Sequence, residues 1–225
     1  MKRKALEIFI TSFLSITGST QEINWNHFNN AAYRKIININ SGIDQGFTYG
    51  FAYGYKVKSR LPMLLNIEFA APFGETLFDD FKTKAGIKIN WYRTGHFFFG
   101  SKLQGVFRRE ETPLVRLLNF GADISATAGY YKSGWYTSAE IGFDKAIVTN
   151  FKHSAFAKEE FPGIKDGWYE PATGGNFYYG IIGGISIHKI DIYLRLGKLV
   201  TQDFKTNPAV PFYTQLGINL KLKSN

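Results

Sequence analysis

The residues with the most chemistry in their side chains lie in one stretch. His153 is followed by Ser154, and Glu159, Glu160 and Asp166 come within thirteen positions of it. A histidine near carboxylates can act as a general acid or base, and a histidine beside a serine can activate a hydroxyl nucleophile. Adjacent side chains in an extended segment diverge, however, so His153 and Ser154 read as a chance pair. The bland reading of the segment is a solvated polar loop. His27, His96 and His188 are isolated and have no metal-ligand spacing. There is no Cys, which removes disulfide, zinc-thiolate and iron–sulfur chemistry. No glycine-rich loop opens a helix to cradle phosphate. No catalytic set, cofactor or metal site is therefore expected.

The elements that would carry such residues are strands. Phe81, Thr83, Ala85, Ile87, Ile89 and Trp91 share one parity, and Lys82, Lys84, Gly86, Lys88 and Asn90 share the other. Successive strand side chains point to opposite faces, so this is a half-buried strand; a helix would scatter the apolar set. The same alternation runs through 47–57, 118–130 and 212–223. Strands are expected near 33–40, 46–58, 62–72, 80–93, 96–108, 115–131, 135–148, 176–188, 190–201 and 210–223. That makes ten; eight would result if two were misread.

The connections alternate. Those at 59–61, 94–95, 132–134 and around Lys189 are tight, and those at 41–45, 73–79, 109–114, 149–175 and 202–209 are longer. In an antiparallel meander alternate connections fall at opposite ends. One end then carries the tight turns and the other the loops, as in bacterial outer-membrane barrels.

Alternation alone does not say which face is inside, because a soluble barrel alternates too, apolar side inward. Three features favour the membrane sense. Aromatics of the apolar parity gather at both rims: Tyr53, Tyr55, Trp91, Phe97, Phe99, Tyr130 and Trp135 at the tight-turn end, and Phe47, Phe69, Phe81, Phe107, Phe143, Phe177 and Phe212 at the loop end. The polar parity is rich in Gly and carries both signs of charge: Lys56, Glu68, Lys82, Lys84, Lys88, Lys102, Asp123, Glu140, Asp144, Asp191, Arg195 and Lys221. A narrow lumen needs small residues and paired charges. Charges of the outward parity, Arg116, Lys145 and Lys198, fall near the loop end, with Lys35 the exception. Those three, with Arg108 and Arg109, are expected to face lipopolysaccharide phosphates.

The chain from about residue 30 to 225 resembles the small outer-membrane β-barrel proteins of Gram-negative bacteria, a porin-like class. The resemblance implies an all-β, transmembrane, antiparallel up-and-down barrel, inserted by the barrel assembly machinery. That class ends in a polar residue, a spaced Gly and two apolar or aromatic residues; Gln215, Gly217, Leu220 and Leu222 match. The chain departs in having Leu for the final aromatic and in continuing through Lys223, Ser224 and Asn225. Barrels of this kind include surface proteases with an Asp-x-His element, which is absent here, and lipid A-modifying enzymes that use His with Ser.

Residues 1–20 read as an export signal: Lys2, Arg3 and Lys4, then the apolar stretch 8–16, then small residues. An amphipathic helix is the alternative. Removal of that segment, with three basic residues and Glu7, lowers the net charge from +9 to +7 and leaves 21–225 as one barrel domain. The basic residues are interleaved with acids, so an internal ion-pair network is preferred to nucleic-acid binding.

The segment 149–175 holds Phe156, Phe161, Trp168 and Tyr169. It is expected either to bind a surface partner or to fold over the mouth and bury its own rings. The functional expectation is a non-enzymatic outer-membrane barrel with a charge-filled lumen, acting through its loops in a structural, adhesive or complex-forming role. The alternatives are a narrow ion or small-solute channel biased toward anions, and a soluble exported ligand-binding barrel with its faces reversed.

Overall fold

The computed structural model describes residues 33–223, except 45, 74–78, 172–173, 206–207 and 209. The expected export signal lies outside the described residues. Ten long strands run in chain order: β1 (Tyr33–Asp44), β2 (Phe47–Val57), β3 (Met63–Pro72), β4 (Phe81–Thr94), β5 (Phe97–Glu111), β6 (Val115–Tyr131), β7 (Trp135–His153), β9 (Gly175–Ile187), β10 (Ile190–Thr201) and β11 (Phe212–Lys223). Between β7 and β9 come a one-and-a-half-turn helix, α1 (Ala155–Glu160), and a three-residue strand, β8 (Gly167–Tyr169). Each long strand pairs antiparallel with its sequence neighbour, and β1 pairs with β11, so the sheet closes with no free edge among the ten. The short β8 sits above β9 on the same edge of β7, opposite Thr149–Phe151.

The alternation resolves as outside apolar, inside polar. Ile124, Ile141 and Ile181 are more than half exposed, whereas Asp123, Asp191 and Lys221 are wholly buried. This is the architecture of a small outer-membrane β-barrel. It overturns the alternative of an apolar-inward barrel, because the charged face is the one without solvent.

Three bulges break the strict period of two, one of them at the start of β1, where the register shifts between Tyr33 and Lys35. In β4 the register jumps between Asn90 and Tyr92, so Trp91 is the extra residue and both Trp91 and Tyr92 face outward. In β7 Ile147 is the extra residue opposite the Phe120–Gly121 step. An added residue reverses the parity of everything beyond it. Outward positions of β7 are therefore odd below Ile147 and even above it.

Two of the loop-end connections are much shorter than expected. Only 45–46 join β1 to β2, and 112–114 join β5 to β6. The latter turn is held by Thr112 Oγ1, which accepts the N–H groups of Leu114 (3.3 Å) and Val115 (3.1 Å). Short and long connections thus do not alternate strictly, but the longest, 73–80, 154–174 and 202–211, all lie at one end. At the other end Gly95 (φ 55°) and His188 (φ 53°) supply the left-handed backbone of two tight turns.

The lumen is packed by tyrosines laid over glycines of the neighbouring strand. Tyr193 opposes Gly217, Tyr136 opposes Gly184, Tyr178 opposes Gly142, and Tyr213 opposes Gly197. A Cβ at any of these glycines would lie 2.2–2.4 Å from the ring. The glycines on the lumen face therefore make room for rings, which restore the contact that a side chain would otherwise make.

Candidate functional site: the lumen and the loop-end rim

At the tight-turn end the lumen holds an apolar cluster: Ile36, Leu64, Phe98, Tyr131, Tyr136, Ile182 and Tyr193. Tyr131 stacks on Tyr136 at 5.4 Å and meets Phe98 edge-on at 5.4 Å. These residues have the lumen parity of their strands, as Tyr193 between Asp191 and Arg195 shows. The sequence thus held the signal for an inward apolar belt, although Gly and charges of both signs were expected there. Beside the cluster, Lys221 Nζ donates to Asp191 (2.8 Å) and Asn38 donates to Asn219 (2.9 Å) and Tyr193 (3.1 Å).

Above it lies the charged layer. Asp123 accepts from Lys84, from Lys102 (3.5 Å) and from the Tyr178 hydroxyl (2.7 Å). Asp144 accepts from Arg108 and lies 3.6 Å from Lys84. Arg195 donates to Glu140, which also accepts from Tyr213 (2.7 Å); the guanidinium stands 4.6 Å from the Tyr213 ring centre. Glu68 accepts from Gln104 (2.9 Å) and Asn66 (2.6 Å). The expected lumen residues are thus brought together, with Lys82 and Lys88 also buried and Lys56 half-buried. Bringing charges out of water is costly unless counter-charges meet them; the layer supplies these to Asp123, Asp144 and Glu140, although Asp144 Oδ2, 3.6 Å from Lys84, accepts no hydrogen bond among the described residues.

Arg108 corrects the expectation. It does not face lipopolysaccharide; it is buried in the lumen, bonded to Asn119 (2.7 Å) as well as to Asp144. It shares the parity of Lys102 and Gln104, and where the register runs without a bulge, as it does here, two successive strand residues cannot both point outward. Glu110 is a further lumen residue that sequence reasoning missed. Near the mouth, Arg108, Glu110, Leu117 and Asn119 line a recess the size of one water.

At the rim the long connection is tied down. Asp166 accepts from Lys158 (2.6 Å), from the His153 backbone N–H (2.8 Å) and faces the His153 ring at 3.0 Å. The bond from Lys158, then those from His153, hold its carboxyl below the usual carboxylate range. Ser154 caps α1, its hydroxyl accepting the Ala157 N–H at 3.2 Å. That bond occupies the serine, and Glu159 and Glu160 lie exposed on α1. The geometry makes a staple between β7 and the connection.

The ring-bearing residues of that connection divide. Trp168 lies on the outer wall 6.0 Å from Phe120, extending a chain of rings through Phe107, Phe81 and Phe69. Tyr169 meets Phe151 edge-on at 5.3 Å on the mouth side. Phe156 is exposed and Phe161 half-buried. The expected assembly-signal residues split by face: Gln215 and Gly217 point into the lumen, Leu220 and Leu222 outward.

Of the outward charges, Lys198 is exposed, whereas Lys145 donates to Pro171 O (3.2 Å) and Gln202 (2.9 Å). Lys35 lies at the tight-turn rim, opposite Tyr55 and Leu222, where charge on the outer face is cheap.

No family model matches the chain, and no curated protein does either. Among solved structures it is similar to a KdgM porin in complex with disordered oligogalacturonate, at 6% identity, TM-score 0.42, over 82% of this chain and 98% of that one. A second KdgM porin structure gives 7% identity and TM-score 0.42 over the same shares. The outer membrane enzyme PagL gives 12% identity and TM-score 0.35, over 84% of this chain and 99% of that one.

Proposed function

We propose that this chain is an integral outer-membrane protein whose lumen does not conduct and which acts, without catalysis, through its loop end as a structural, adhesive or complex-forming component. The observation that carries the reading is the apolar cluster around Leu64, Tyr131 and Tyr193 at the tight-turn end. An ion entering from the loop end would meet fixed charges and then a dry, aromatic floor. Dewetted constrictions of this kind block ions even where space remains. Above the floor, the paired charges of the Asp123 and Glu140 networks leave little net field to draw an ion in. In this reading the last strand, with Gln215, Gly217, Leu220 and Leu222, is the part read by the barrel assembly machinery. The connection carrying Phe156, Trp168 and Tyr169 is the surface offered to a partner.

The test is electrical. The full chain, folded in detergent and shown to shift on an unboiled gel, is added to a planar bilayer. The expected record is flat at 1 M salt. Discrete, reproducible steps would refute the closed lumen and favour the anion-biased channel.

A further inference from the structure

The outer wall at the loop end of β5, β6 and β7 concentrates cations on one face. Arg116 and Lys152 are direct cross-strand partners. Both point outward, because the Ile147 bulge restores Lys152 to the lipid side. Arg109 stands one step along β5, on the same face. Like charges placed opposite one another destabilise a strand pair unless something of opposite sign lies between them. One acid lies on this face: Glu111 is the cross-strand partner of Arg116 and pairs with Arg109 at 2.5 Å, so three cations stand against a single carboxylate, while Asp80 accepts the Glu111 backbone N–H at 2.8 Å. The Nε groups of Arg109 and Arg116 are both shielded from solvent and have no hydrogen-bond partner among the described residues.

What lies beneath identifies the ligand class. Down the outward face of β6 from Arg116 come Leu118, Phe120, Ala122 and Ile124. Phe120 lies between Phe107 (5.0 Å) and Trp168 (6.0 Å), its ring tilted against both. Charge above a ring belt above an aliphatic wall matches an amphiphile with an anionic head. Guanidinium forks suit phosphate oxygens.

We infer that Arg109, Arg116 and Lys152 form a binding site for the phosphate of an outer-leaflet lipid headgroup, whose acyl chains lie along Phe107, Phe120 and Trp168. The inference rests on the membrane reading and adds a ligand to it.

The probe is bisphosphoryl lipid A, offered to the full chain in detergent and followed by native mass spectrometry. Arg109→Gln, Arg116→Gln and Lys152→Gln together are expected to weaken its binding about tenfold or more, as loss of charge-assisted bonds would. A control with the exposed Lys58, Lys165 and Lys205 changed to Gln carries the same charge change and is expected to bind within about twofold of the parent. Equal losses in the two triples would overturn the site in favour of diffuse attraction. Displacement by equimolar inorganic phosphate would overturn the lipid as its source. If the first triple fails the unboiled-gel shift, Arg116→Lys serves instead, keeping charge but losing the fork, with about threefold weakening expected. Undiminished binding by that variant would overturn the proposal. A parent chain that fails to insert into vesicles would sink the membrane reading as well, whereas one that inserts but binds no lipid A would sink this inference alone.

Discussion

Asp123→Asn is the sharpest probe of whether the lumen is dry. Asp123 is wholly buried and accepts from Lys84, Lys102 and the Tyr178 hydroxyl. Asparagine keeps the shape and removes the charge. Two buried ammonium groups then share what remains, chiefly Asp144, 3.6 Å from Lys84 and already engaged by Arg108. Removing one partner of a buried ion pair costs about 3–5 kcal/mol, and the second carboxylate points to the low end of that range, about 3 kcal/mol. With a urea dependence near 3 kcal/mol per molar, the unfolding midpoint should fall by about 1 M. The assay is urea unfolding in detergent micelles, read by tryptophan emission and by the unboiled-gel shift. Adding Lys102→Met, which withdraws the surplus cation, should recover part of the loss, so the two changes should not add. A midpoint shift below about 0.3 M would refute the reasoning, because it would mean that water screens these charges. The lumen would then be wet and the channel reading would gain.

Three further outcomes follow from the same geometry. Leu64→Ala with Tyr193→Ala removes two side chains of the floor cluster and should bring steps into a bilayer record that is flat for the parent; a flat record would show that the barrier lies in the charged layer instead. Gly217→Ala would put a methyl 2.4 Å from the Tyr193 ring and should lower stability by about 1–3 kcal/mol, while Gly183→Ala, with nothing within 4 Å, should stay within about 0.5 kcal/mol; equal urea midpoints would refute the ring-over-glycine packing. Because the Asp166 carboxyl lies below its ordinary range when folded, its contribution is present above the unfolded value of about 3.9 and lost as pH falls through the folded one. Hydrogen-exchange protection factors over 154–169, corrected for the intrinsic pH dependence of exchange, should therefore be steady from pH 7 to 5, fall below about pH 4, and be low at pH 7 in Asp166→Asn; protection unchanged by that substitution would remove the staple.

The wall of the barrel was legible because each strand has to present one face to lipid and one to the lumen. The period of two carries that requirement through all ten long strands, and every expected strand is present. Loop lengths were less legible. Continued pairing above the rim, such as Val115 with His153, is set by the neighbouring strand and leaves no local mark. The helix α1 was missed because six residues are too few for a helical stripe, and its cap, Ser154, was weighed as a partner for His153 rather than as a hydrogen-bond acceptor for Ala157. The apolar floor was half legible: its tyrosines have the lumen parity, but an expectation of charge hid them.

The rim shows where reading by parity fails, and why that matters for function. Counted at strict period two from Lys145, an outward residue, Lys152 falls on the lumen side and Phe151 on the lipid side. The extra residue at Ile147 inverts both. Lys152 thereby reaches Arg116, and Phe151 turns to meet Tyr169 at the mouth. Without the bulge the proposed headgroup site would lack one of its three cations and would carry a ring in its place. The same bulge lets β7 leave β9 after Lys145 and take up β8 at Thr149, which sets Trp168 against Phe120. One inserted residue therefore supplies the third cation and the last ring of the proposed headgroup site. Deleting Ile147 should disturb that site far more than the charged layer beneath it, where Asp123 and Asp144 remain paired in register.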